Sequence, residues 1–68
     1  SLFSQSFKNQ QKNVLLYSDD RSQRTAMAIE LHDYGHNPIV ASTIDDFREK
    51  STNKGAYDYI IDYTFLGQ

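Results

Sequence analysis

The segment Val14-Leu15-Leu16-Tyr17-Ser18-Asp19-Asp20 constrains the fold more than any other, because four consecutive apolar residues stop abruptly at carboxylates. A strand that is apolar at successive positions has both faces buried, the pattern of a central parallel strand with helices above and below it. Its acidic end then falls at the carboxyl edge of the sheet, where open α/β sheets place their ligands and chemistry. The design recurs near the end of the chain, where Tyr59-Ile60-Ile61 runs into Asp62. Two such strands side by side would bring Asp19 and Asp62 to one sheet edge.

The intervening sequence supplies the crossovers. Ser22 to Tyr34 has helical composition, and Gly35 provides the left-handed residue that ends such helices. At about 100° per residue, Met27, Ala28, Leu31 and Tyr34 share one arc, a core-facing stripe that leaves Ile29 outside as a lone surface apolar residue. After the His36-Asn37-Pro38 turn, Ile39-Val40-Ala41 predicts a short second strand, with Pro38 tolerated at its first position. Thr43 with Asp46 forms a capping pair that opens a helix from Ile44 to Ser51, its buried side made of Ile44, Phe47 and the stem of Lys50. A loop from Ser51 to Gly55 leads into a third strand over Tyr57 to Ile61. The expected fold is therefore α/β, βαβαβ, with right-handed crossovers and a three-stranded parallel sheet in the order 2-1-3.

Residues 1–12 are dominated by Ser, Gln, Asn and Lys and predict a linker or N-terminal arm, with Phe3 and Phe7 spaced i, i+4; residues 13–68 form the α/β module. A 68-residue chain that is 38% hydrophobic buries a small core, and with no cysteine it has neither a disulfide nor a thiolate metal site to support it. Oligomerisation or a continuation of the chain are the remaining means of support. Seven basic against nine acidic residues give a net charge of −2, and the basic residues are scattered, so no nucleic-acid footprint exists. No apolar run exceeds four residues, far short of a membrane span, and the default expectation is a cytoplasmic protein without a membrane partner.

Val14 to Asp19 resembles the first strand of bacterial response-regulator receiver domains, where hydrophobic residues precede an acidic pair, and the distance from Asp19 to Gly35 fits that family's first helix. Asp62-Tyr63-Thr64-Phe65-Leu66-Gly67 resembles the phospho-acceptor turn, with Leu66 in place of the usual Pro. The resemblance covers Lys12 to Gln68 and corresponds to the first half of a receiver, the βαβαβ half of a flavodoxin-like fold. It implies that Asp19, Asp20 and Asp62 hold Mg²⁺, and that Asp62 takes a phosphoryl group from a histidine kinase while the cation neutralises charge on the transferring oxygens.

Three departures bear on that activity. Ser18 stands where the first acidic residue belongs, unless Asp19 and Asp20 form the pair and Ser18 lies inside the strand. Asp58 precedes Asp62 by four positions where the family has five. The family's further strands, which carry a Ser/Thr and a Lys against the phosphoryl group, are not represented in the sequence. The expectation is a receiver-like signalling module that is not an enzyme, has no phosphotransfer activity of its own and needs no cofactor, with Asp62 a vestigial phospho-acceptor position. The alternative is a fragment of a genuine Mg²⁺-dependent phospho-acceptor of a two-component system or hybrid kinase, and a small α/β binding domain unrelated to receivers is a third reading.

Other chemistry finds little support. His32 and His36 have metal-ligand spacing, but Gly35 between them ends the helix and sets His36 in the turn. Gly35, Gly55 and Gly67 form no phosphate-cradling pattern, and there is no GxSxG or reactive cysteine. Tyr57, Tyr59 and Tyr63 share one face of the third strand, which either packs under a helix or forms an interface. An apolar strand at a sheet edge invites pairing, which predicts a homodimer through the third strand.

Overall fold

The computed structural model describes residues 11–63, and within them the apolar run lies in the middle strand. The element order is β1 (Asn13–Ser18), α1 (Arg21–Asp33), β2 (Asn37–Val40), α2 (Ile44–Ser51), a 3₁₀ turn (Lys54–Ala56) and β3 (Tyr59–Tyr63). The strands are all parallel in the order β2-β1-β3, the α/β arrangement expected from the sequence. Val14 to Ser18 are buried without exception, since β1 has a strand on each side and a helix on each face.

Alternation along β1 divides the core in two. Leu15 and Tyr17 face α2 and form a cluster with Ala41 and Phe47, flanked by Ile39, Ile44 and Tyr57. The Tyr17 and Phe47 rings lie 5.8 Å apart between centroids, within the range where tilted aromatic pairs attract. Val14, Leu16 and Ser18 take the opposite face, against which α1 packs over β1 and β2.

Helix α1 starts on Asp20, whose Oδ1 accepts the Ser22 N–H at 3.0 Å. It ends in a Schellman motif: the Gly35 N–H donates to His32 O at 3.0 Å and the His36 N–H to Leu31 O at 3.0 Å, with Gly35 at φ +89°. Tyr34 is thus the cap, not the last residue of the core stripe as the periodicity predicts. Met27, Ala28 and Leu31 are half-buried, but Tyr34 leaves the helical path and is 69% exposed.

β2 spans Asn37–Val40, not Ile39-Val40-Ala41, and holds Pro38 inside the strand, not at its first position. The ladder explains why this is tolerated. Asn37 donates to Lys12 O just before β1, and Ala41, just past β2, donates to Leu16 O within it, so the odd residues of β2 turn towards β1 and the position of Pro38 turns to the open edge, where no N–H is needed. α2 matches its expected bounds, with Thr43 Oγ1 accepting the Asp46 N–H at 3.0 Å.

β3 spans Tyr59–Tyr63 rather than Tyr57 to Ile61. The two-residue shift has a physical cause. Lys54–Ala56 winds into a 3₁₀ turn, Tyr57 tucks against the α2-side core, and Asp58 fastens the entry to the strand onto Asn13. Asp62 consequently lies within β3 opposite Tyr17, and Tyr63 ends the strand opposite Ser18.

Candidate functional site

Two features of the sheet are candidate sites: the carboxyl ends of β1 and β3, and the outer edge of β3. At the first, Asp62 stands opposite Tyr17, and Asp19 lies two residues beyond Tyr17. Asp62 is thus inside β3, whereas Asp19 is the first residue past the end of β1, in the bend that leads into α1. Asp19 is half-buried and Asp62 exposed, and each is engaged in interactions of its own.

Ser18 is fully buried as the last residue of β1, so the acidic pair that follows the strand is Asp19 and Asp20. Its hydroxyl accepts the Asp20 N–H at 3.1 Å and donates to Gln23 Oε1 at 3.3 Å, which folds the chain sharply from strand into helix. The Arg24 guanidinium donates to Ser18 O at 2.7 Å and sets a fixed positive charge at the same edge. Asp20 is turned to its capping role on α1. No group of three or more His, Cys, Asp or Glu side chains is gathered to hold a metal ion among the described residues. The phospho-acceptor turn from Thr64 to Gly67 and the arm carrying Phe3 and Phe7 lie outside the described residues.

The outer edge of β3 is the second feature. Tyr59, Ile60 and Tyr63 are 58%, 39% and 43% exposed. Tyr59, Ile61 and Tyr63 alternate onto the α1 side, where Ile61 joins Met27, Glu30, Leu31 and Tyr34 around an open groove of about 170 Å³. α1 makes its main contacts with β1 and β2, and α2 with β1, which leaves β3 the least covered strand among the described residues. Tyr57 does not join this row: it is half-buried on the α2 side beside Ile39 and Ile44.

Several contacts around these ends carry weaker sequence signals. Asp58 donates its N–H to Asn13 O and accepts the Asn13 N–H on Oδ2, both at 2.8 Å, and its place just before a strand was the available clue. Arg24 and Gln23 reach back one helical turn onto Ser18, a contact that helical spacing from Asp20 permits but does not require. His32 is exposed, while His36 Nδ1 accepts the Lys12 N–H at 3.3 Å, so the two imidazoles serve different surroundings.

No protein-family model, curated protein or solved structure matches the chain. Among the described residues no helix is long and apolar enough to cross a membrane.

Proposed function

We propose that the chain is a receiver-like signalling module of the cytoplasm that works by protein interaction or dimerisation through the β3 edge, without phosphotransfer activity of its own. One observation carries this reading: a largely apolar strand sits at the margin of the sheet with Tyr59 and Tyr63 exposed. Tyrosine contributes large contact area at small entropic cost, and an open strand contributes backbone hydrogen bonds. β3 has no Lys or Pro, two of the residues that ordinarily keep such an edge from pairing, and its single charge is Asp62.

Sedimentation of the wild-type chain and of Tyr59→Lys across a dilution series tests the reading. The wild type should associate as concentration rises, whereas Tyr59→Lys, with an unchanged circular dichroism spectrum, should remain monomeric. Equal association of the two would exclude the β3 edge.

The parallel neighbours β1 and β3, with Asp19 just past the end of one and Asp62 near the end of the other, favour one alternative, a piece of a Mg²⁺-dependent phospho-acceptor served by a histidine kinase. Titration with Mg²⁺ and beryllofluoride, followed by amide NMR, separates the two. Saturable shifts around Asp62 would replace the interaction reading with phosphotransfer.

A further inference from the structure

We infer that the groove between α1 and β3 is the docking site of this chain's own N-terminal arm, residues 1–10, with Phe3 and Phe7 laid against Met27, Leu31, Tyr34 and Ile61. The groove is apolar apart from Glu30 at its rim. Its volume of about 170 Å³ is close to the roughly 150 Å³ of an apolar cavity that takes up benzene, so it has room for one aromatic ring. Met27, Leu31 and Ile61 are only half-buried there, and Tyr34 is exposed.

The place where the arm joins the sheet selects it over other occupants. Lys12 is fixed twice, its N–H donating to His36 Nδ1 at 3.3 Å and its carbonyl accepting the Asn37 N–H at 2.8 Å. His36 follows Tyr34 by two residues, so the chain before Lys12 departs beside the C-terminal end of α1, where the groove begins. Ile61 stands opposite Leu16, four residues along β1 from Lys12, or about 13 Å. Phe7 and Phe3 precede Lys12 by five and nine residues, which span at most about 17 and 30 Å. An arm folded back along α1 thus brings Phe7 to Tyr34 and Leu31, and Phe3 to Met27 and Ile61.

The composition of the arm matches that seat. Leu2, Phe3 and Phe7 are its only apolar residues, and Lys8 is its only charged one. On a helical turn Phe3 and Phe7 share one face, with the same four-residue spacing that sets Met27 beside Leu31 on α1. Lys8 meets an acidic rim of Glu30 and Asp33, both exposed on the last turns of α1. Residues 64–68 follow β3 from the opposite end of the sheet and carry no basic residue. Tethering gives the arm an effective concentration on the order of mM, so a contact too small to hold a separate partner is enough to seat it. This contact lies within one chain and does not depend on the edge-binding reading.

The sequence has no cysteine, so a Ser4→Cys variant of the full chain accepts a single nitroxide label in the arm. At a concentration where sedimentation shows a monomer, the amides of Leu31, Tyr34 and Ile61 should lose NMR intensity relative to the reduced label, and those of Val40 and Arg48 should keep theirs. Adding Phe3→Ser and Phe7→Ser should abolish the loss with an unchanged circular dichroism spectrum, whereas adding Phe65→Ser should leave it. A mixture of isotope-labelled chain without nitroxide and nitroxide-labelled chain without isotope should show no loss. Loss in the mixture alone would assign the groove to the arm of a second copy, and abolition by Phe65→Ser alone would assign it to residues 64–68; either overturns the inference. No loss at the groove, or a loss spread evenly over the domain, overturns it as well. The edge reading is judged separately, by the concentration dependence of the wild type.

Discussion

Asp58 holds Asn13 with two reciprocal contacts, accepting its N–H at 2.8 Å on Oδ2 and donating its own N–H to its carbonyl at 2.8 Å. This clamp joins the entry of β3 to the start of β1 and sets the register that follows, Val14 opposite Tyr59 through Ser18 opposite Tyr63. The placement of Asp62 next to the end of β1 therefore depends on a residue four positions earlier in the same strand entry.

Asp58→Ala should lower the stability of the fold by about 1 kcal/mol, the net worth of a hydrogen bond to a charged group that is still accessible to water. Urea denaturation measures this as a shift of the midpoint with an unchanged slope. A loss of association larger than the stability change accounts for would show that the clamp also positions the β3 edge.

Phe47→Ala should cost about 3–5 kcal/mol, because Phe47 is the sole buried side chain of α2 and closes the cluster over Leu15, Tyr17 and Ala41. A domain this small has little net stability in reserve, so the variant should be largely unfolded at room temperature by circular dichroism. A cooperative unfolding transition close to that of the wild type would place the core elsewhere.

Gly35→Ala isolates backbone conformation from packing. A Cβ built at Gly35 meets nothing within 4 Å, yet the residue sits at φ +89°. The cost, about 1 kcal/mol, should therefore come from the left-handed conformation alone. Thermal denaturation should show this loss for Gly35→Ala and a smaller one for Gly35→Asn, since asparagine tolerates that region better.

Much of this architecture is legible in the sequence, and the misses share a cause. The all-apolar run of β1 predicts its central position, and Thr43 with Asp46 predicts the bounds of α2, because burial on two faces and a side-chain cap are both local properties. The bounds of β2 and β3 depend instead on the neighbouring strand. Pro38 is accommodated only because the ladder turns its nitrogen outward, and the start of β3 is displaced by the Asp58–Asn13 clamp, whose partners are 45 positions apart. Tyr57 shows the consequence for the candidate site: alternation in the sequence places it in a row with Tyr59 and Tyr63, whereas the turn before β3 delivers it to the α2-side core. Asp20 likewise lies in the expected acidic pair but is turned to cap α1, a competition between two uses of one carboxylate that composition does not decide.

The Asp46–Lys50 pair gives α2 a pH dependence with a defined sign. The hydrogen bond from Lys50 Nζ at 2.6 Å holds the Asp46 carboxyl below its ordinary range, and the same bond holds the Lys50 ammonium above the usual lysine range. The lowered carboxyl contributes stability above its unfolded pKa that is lost as pH falls through the folded value; the raised ammonium contributes stability that is lost as pH rises through its folded value. Asp46→Asn should therefore lower the Tm modestly at neutral pH, and the gap from wild type should close in acid below about pH 4. A gap that persists unchanged at low pH would assign the effect to helix capping instead.

The most direct test of edge binding is an amide-resolved NMR dilution series on the wild-type chain. Concentration-dependent shifts should cluster at Tyr59–Tyr63 and along the adjoining groove at Leu31 and Tyr34, with β2 and the outer face of α2 unaffected. Shifts centred on β2 or α2, or a spectrum that does not change with concentration, would contradict the account.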